Sequence, residues 1–218
     1  MYKCVIFDMD GTLVDSFEGI YNAYAWTMER MGLTFGGRPF VEKAIGAPLP
    51  YVFERLCGLR RDEAARAIQI YRDYYAREGR RQVRAYDGME EVLARLRRAG
   101  CFLGAATLKR ESFAKEMLEA LSLLPYFHIV CGMDADDRLT KADLVRRCLA
   151  FAGIRREEAV LVGDSAFDAK GAEEAGVDFL AVTYGFGYRD DSLPAAGTAV
   201  FTARSPLEIP AFVCADRK

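Results

Sequence analysis

Lys3-Cys4-Val5-Ile6-Phe7-Asp8-Met9-Asp10-Gly11-Thr12 is the stretch whose reading decides the fold. Cys4 to Phe7 is an unbroken apolar run that stops at Asp8. A short apolar run ending in polar residues and glycine reads as a strand buried on both faces, followed by a loop. Such strands belong in parallel sheets covered by helices. Reading outward, the same pattern recurs. Cys101 to Ala106 ends at Thr107, Phe127 to Cys131 is a third run, and Ala159 to Val162 ends at Gly163-Asp164. Phe179 to Val182 follows, and Ala199 to Phe201 is a short last run. Helical patterns separate them at Met89–Arg98, Glu111–Leu121, Lys141–Ala152 and Ala166–Ala175, with Gly100, Gly153 and Gly176 placed as C-terminal caps. Strands alternating with helices predict an α/β fold, a doubly wound, Rossmann-like parallel sheet.

Residues 16–82 break the alternation. Ser16 to Met31 carries a helical stripe of Ile20, Tyr24, Met28 and Met31. Gly36-Gly37 and Pro39 interrupt it; Phe40–Ile45 and Tyr51–Cys57 read as short helices, and Arg61–Glu78 as a longer one. The expectation is two domains: residues 1–15 with 83–218 form the sheet core, and 16–82 form a helical insert. Tyr71, Tyr74 and Tyr75 on the long helix read as packing residues, since aromatics at helical spacing build cores. Arg80, Arg81 and Arg84 read as a solvated linker surface.

Composition narrows the chemistry. The 218 residues carry 30 Lys plus Arg against 32 Asp plus Glu, so nothing in the bulk charge favours nucleic acid or anionic membrane. One histidine, His128, leaves no room for a multi-histidine metal site and argues against a Ser-His-Asp triad. The six cysteines form no CxxC pair and read as buried thiols. No apolar run approaches a membrane span, and no basic-then-apolar leader precedes the first strand. The expectation is a soluble cytoplasmic protein, monomer or homodimer.

In open α/β sheets, ligands bind beyond the carboxyl ends of the strands. There stand Asp8 and Asp10 after the first strand, Thr107 after the second, Lys141 after the third, and Asp164 with Asp168 after the fourth. An Asp or Thr at such a place also serves as a turn former or helix cap. Together they make a different object. Clustered carboxylates raise one another's pKa unless a cation compensates. Oxygen ligands without His or Cys suit Mg2+, which keeps positions open for water and a substrate phosphate. Thr and Lys can hold phosphoryl oxygens, one carboxylate can act as nucleophile, and a second can serve as acid and base.

Asp8-Met9-Asp10-Gly11-Thr12-Leu13-Val14-Asp15-Ser16 resembles the first motif of the haloacid dehalogenase superfamily of phosphohydrolases. Thr107 matches the second motif, Lys141 the third, and Gly163-Asp164-Ser165-Ala166-Phe167-Asp168 the fourth. The resemblance spans essentially the whole chain and is strongest to the phosphoglycolate phosphatase-like branch, with residues 16–82 as its helical cap. Ile45-Gly46-Ala47-Pro48-Leu49 resembles a cap segment of that branch and of its 5′-nucleotidase-like relatives. The resemblance implies that Asp8 becomes an aspartyl phosphate and that Asp10 protonates the leaving alcohol and then activates water. It implies Mg2+ on Asp8, the backbone carbonyl of Asp10, and Asp164, with Asp168 supporting. It places the phosphoryl group on Thr107, Lys141 and backbone N–H groups around Met9 and Leu108.

Asp10 argues against dehalogenation and phosphonate cleavage, whose family members lack an Asp there. Sugar phosphomutases of the superfamily commonly carry a cap histidine where this chain reads Glu18-Gly19-Ile20-Tyr21-Asn22. The expectation is therefore an Mg2+-dependent phosphomonoester hydrolase acting on a small phosphorylated metabolite, most like phosphoglycolate phosphatase. A 5′-nucleotidase-like or pyrophosphatase-like hydrolase, a phosphomutase and a catalytically silent binding protein are the alternatives. Leu108 departs from the small polar residue often found after the motif Thr, which leaves the substrate open.

Overall fold

The computed structural model describes residues 1–134 and 138–215. The chain divides into two compact units, Met1–Asp15 with Ala85–Lys218, and Ser16–Arg84. In chain order, the first unit opens with strands β1 (Cys4–Phe7) and β2 (Val14–Asp15). The second unit holds helices α1 (Phe17–Met31), α2 (Gly37–Ala44), the single turn α3 (Leu49–Tyr51) and α4 (Arg61–Arg77). A short strand β3 (Arg84–Ala85) precedes the return to the first unit. There follow α5 (Met89–Arg98), β4 (Phe102–Arg110), α6 (Glu111–Ala120), β5 (Ile129–Met133), α7 (Lys141–Ala152) and β6 (Ala159–Gly163). The chain continues through α8 (Ala166–Ala175), β7 (Asp178–Val182), β8 (Phe201–Ala203) and α9 (Ile209–Val213).

Six strands form the main sheet in the order β5-β4-β1-β6-β7-β8, every neighbouring pair parallel. The doubly wound α/β class read from the sequence is what the structure has. Strand β1 lies at the centre, in register with Phe102–Ala105 on one side and Ala159–Val162 on the other. The chain fills the sheet outward from β1 through β4 to β5, then returns to the other side of β1 for β6, β7 and β8. The order thus reverses at the carboxyl end of β1, between β4 and β6, which is where such sheets open a crevice. Strands β1 and β6 are wholly buried, as their apolar runs require. The core on one side of the sheet joins Cys4, Ile6 and Leu161 to Leu144, Val145 and Cys148 of α7. Helix α7 lies close to the sheet because β4 carries Gly104, where a Cβ would come within 3.1 Å of the Cys148 sulfur.

The helical unit has an aromatic core. Tyr24 packs on Tyr71 at 4.7 Å between ring centroids and on Phe53 at 5.9 Å, and Tyr71 stacks on Tyr75 at 5.8 Å. Tyr71 and Tyr75 are buried, and Tyr74 lies against Trp26, so the tyrosines of α4 are packing residues.

The structure adds the short β2, β3 and α9 and places β5 and β8 two residues later than the sequence reading; three further elements differ in kind or extent. Helix α2 starts at Gly37 because Pro39 falls in its first turn, where a missing N–H costs nothing. The 51–57 helix is a π-helical turn, Val52–Leu56, with Gly58 just beyond it at φ +69°. Strand β4 runs on past Thr107 to Arg110, through an irregularity in its pairing with β5. All six cysteines are free, and four are buried. Among the described residues, no helix is long and apolar enough to cross a membrane.

Candidate active site

The site grows from the end of β1. Asp8 continues the ladder by donating its backbone N–H to the Val162 carbonyl at 2.8 Å, which fixes where its side chain emerges. The chain then turns sharply. The Met9 carbonyl accepts from Leu13 and Val14 at 2.9 and 3.0 Å, and Gly11 takes φ +84°, a conformation suited to glycine. The Met9 side chain points into the core and is fully buried.

Lys141 opens α7, and its helix start is built for the purpose. Thr140 and Asp143 form a reciprocal capping box: Thr140 N–H donates to Asp143 Oδ2 at 2.9 Å, and Asp143 N–H donates to Thr140 Oγ1 at 3.2 Å. The buried ammonium meets three acceptors, Asp8 Oδ1 at 2.5 Å, Asp168 Oδ1 at 2.8 Å and the Ala106 carbonyl at 2.9 Å. The contacts to Asp8 Oδ1 and the Ala106 carbonyl are hydrogen bonds, and Asp168 Oδ1 faces the ammonium as an ion pair. Burial pulls the Lys141 pKa down, but the Asp168 and Asp8 charges outweigh it and hold it above the usual lysine value.

Asp168 does two things at once. Its Oδ2 caps α8, accepting from Ser165 N–H at 3.1 Å and Ser165 Oγ at 2.6 Å. Its Oδ1 faces Lys141. Its two oxygens thus serve two separate contacts, the helix start through Oδ2 and the Lys141 ammonium through Oδ1. The fit is close: a Cβ on Gly163 would stand 2.5 Å from the Asp168 side chain.

Asp164 is held by the loop after β7. Its Oδ2 accepts from Phe186 N–H at 2.7 Å and Gly187 N–H at 3.0 Å, and its carbonyl accepts from Tyr188 N–H at 2.6 Å. A Cβ at Gly11 or Gly185 would fall 2.2 or 2.5 Å from that same Oδ2. Oxygens of Asp8, Asp164 and Asp168 all lie within 4.8 Å of one another, each residue buried. Three carboxylates facing one ammonium leave an excess of negative charge. Burial pushes the Asp8 pKa well up; Lys141 opposes this, while Asp168 and Asp164 add to it. Burial and the Asp168 charge push Asp164 up to about 7, against the two backbone N–H donors and Lys141. A buried, all-oxygen cluster short of positive charge fits a hard divalent cation such as Mg2+.

The remaining sequence candidates lie on either side. Asp10 is outside the three-carboxylate cluster; its Oδ2 pairs with Lys109 Nζ at 3.1 Å. Thr107 is buried at the end of the regular part of β4 and accepts from the Lys109 backbone N–H at 3.2 Å. Leu108 is half-buried, with its side chain against the core. Sequence reasoning missed Lys109 and the Tyr184–Tyr188 loop. A lysine two residues after Thr107 and a Gly-Phe-Gly after a buried strand were the available signals.

The family model for haloacid dehalogenase-like hydrolases matches residues 5–182. The chain is 32% identical to a 5′-nucleotidase from Pseudomonas aeruginosa, over 87% of this chain and 86% of that protein. It is also 32% identical to tyrosine-protein kinase PtkA from Mycobacterium tuberculosis, over 94% of this chain and 70% of that protein. Among solved structures, a hydrolase of the haloacid dehalogenase-like family from Streptococcus pneumoniae superposes with a TM-score of 0.88 at 32% identity, covering 97% of this chain and 98% of its own.

Proposed function

The chain belongs to the haloacid dehalogenase-like hydrolase family, and we propose that it is an Mg2+-dependent phosphomonoester hydrolase acting on a small phosphorylated metabolite. One observation carries the reading. The Lys141 ammonium is shared between Asp8 and Asp168, with Asp164 beside them, at the point where the sheet order reverses. That arrangement presents a carboxylate nucleophile next to a fixed positive charge.

Asp8 attacks phosphorus while the bond from phosphorus to the ester oxygen breaks. Asp10, as the acid, gives its proton to that leaving oxygen. The acyl phosphate on Asp8 is then hydrolysed by water, which loses a proton to Asp10. Phosphate departs and both carboxylates return to their starting state. Thr107 and Lys141 hold phosphoryl oxygens and offset charge as it moves onto them. Asp8, Asp164 and the Asp10 carbonyl would hold Mg2+, which supplies the positive charge that the carboxylate cluster lacks.

The test is phosphate release from 2-phosphoglycolate, nucleoside 5′-monophosphates, sugar phosphates and pyrophosphate, with Mg2+ and with chelator. Metal-dependent release that disappears in Asp8→Asn is the expected result. Folded wild-type protein that releases phosphate from none of them overturns the reading. Similarity to PtkA favours a second reading, transfer of a phosphoryl group to a tyrosine hydroxyl. An added arm with ATP and a tyrosine-containing peptide separates the two.

A further inference from the structure

We propose that Lys109 is a positioning residue that holds the Asp10 carboxylate for proton exchange with the leaving oxygen; this role rests on the hydrolase reading above. An ordinary surface ion pair contributes little to stability and demands no function. This pair is not of that kind. The Lys109 side chain is 8% exposed and that of Asp10 13%, with 3.1 Å between Nζ and Oδ2. So little exposure leaves their attraction weakly screened. Fixing one carboxylate oxygen also fixes the plane of the group and the direction of the other.

Lys109 also touches the phosphate-holding side of the site. Its backbone N–H donates to Thr107 Oγ1 at 3.2 Å, filling one of that oxygen's two lone pairs and leaving the hydroxyl proton to be given to an acceptor. One residue thus orients Asp10 through its side chain and Thr107 through its backbone.

The strand is shaped to allow this. Ala106 pairs with Cys131, and the next pair is Arg110 with Met133. Four steps along β4 therefore lie opposite two along β5. Extra residues of this kind bend a strand and re-aim its side chains, commonly beside active sites. The bulged segment fits because β5 has a glycine opposite it. A Cβ on Gly132 would stand 2.8 Å from the Lys109 carbonyl and 2.5 Å from Glu111 Cα.

A residue acting through the acid must matter in proportion to how much the leaving group needs a proton. An alkoxide is a poor leaving group and needs one; p-nitrophenolate leaves without it. The experiment compares kcat and KM for β-glycerophosphate and p-nitrophenyl phosphate in wild type, Lys109→Met, Lys109→Arg, Asp10→Asn and the Asp10→Asn/Lys109→Met double variant. Lys109→Met is expected to lower kcat/KM, which reports the steps up to the acyl phosphate and not the water attack that both esters share, by about 100-fold on the alkyl ester, the scale of acid catalysis, and by at least tenfold less on the aryl ester. On the alkyl ester, where departure of the alkoxide limits the rate, KM stays within about twofold because ground-state binding is untouched. Lys109→Arg restores part of the loss. The double variant is no slower than Asp10→Asn alone, since the two residues act as one unit. Equal losses on both esters, losses that multiply in the double variant, or an unchanged Lys109→Met each overturn the proposal while the wild type remains an active hydrolase. A wild type inactive on both esters defeats the hydrolase reading and the proposal with it. Should Lys109→Met fail to fold, Lys109→Gln carries the same comparison.

Discussion

Gly171→Ala is the sharpest test of how the site is held together, because two known effects oppose each other there. Gly171 lies in the middle of α8. In an ordinary helix interior, Gly→Ala stabilises by about 0.8–1 kcal/mol through helix propensity. Here the new Cβ would stand 2.3 Å from Lys141 Cγ and 2.7 Å from Lys141 Cβ. Reaching an ordinary contact of 3.4 Å means that the Lys141 stem, or α8 itself, moves by about 1 Å. Overpacking of this kind costs about 1–3 kcal/mol, so the steric effect exceeds the propensity gain. Net destabilisation of about 0–2 kcal/mol lowers Tm by up to about 8 °C in a chain of this size. The larger effect falls on the ammonium. A shift of about 1 Å at the stem moves Nζ relative to Asp8 and Asp168, and misplacement on that scale costs about 100-fold in rate. Thermal unfolding and phosphate release from the preferred ester measure the two effects. A Gly171→Ala protein that melts higher than wild type and keeps full activity would refute the packing argument.

The other predictions concern charge and capping. Magnesium at about 100 times its Kd should raise stability by about 2.7 kcal/mol, read as a rise in Tm that Asp164→Asn abolishes. In metal-free protein, the Asp164 pKa is raised from 3.8 to about 7 in the folded state. The folded chain then holds more protons than the unfolded one between those values, so this group's stabilisation is present below about pH 4 and lost as pH rises through about 7. Urea unfolding at a series of pH values should show that loss, and Mg2+ should reduce it. Lys141→Met leaves Asp8 and Asp168 facing each other without their cation; it should abolish phosphate release and destabilise by about 3–5 kcal/mol, read from urea unfolding. Ser165→Ala removes the cap of α8 and a hydrogen bond to Asp168; it should lower stability by about 1 kcal/mol and slow phosphate release.

The sheet was legible because its central strands are buried on both faces, which forces continuous apolar runs such as Cys4–Phe7 and Ala159–Val162. The strand order was not, because a run of this kind looks the same beside any neighbour. The boundary of β4 was misplaced for a related reason. Thr107 looked like an end because its polarity breaks the apolar run, yet the backbone pairing resumes at Arg110 beyond the bulge. Burial patterns report side chains, and a bulge is a property of the backbone.

The site shows the same division more finely. Asp8, Lys141, Asp164 and Asp168 could be placed together because each follows a buried strand or opens the next helix, and a parallel sheet brings all those points to one edge. What the residues do to one another depended on single oxygens. Asp168 divides its two oxygens between capping Ser165 and facing Lys141. Asp164 meets its partners in a loop that begins only after β7, twenty-two residues later for Phe186. The glycines are the clearest trace of this in the sequence. Gly11, Gly163, Gly171 and Gly185 are scattered along the chain, but each stands where a Cβ would strike Asp164, Asp168 or Lys141. Their spacing carries no period for a pattern search to find. Their common cause is that buried charges must be approached closely by backbone donors and by one another, and only a residue without a side chain leaves the room.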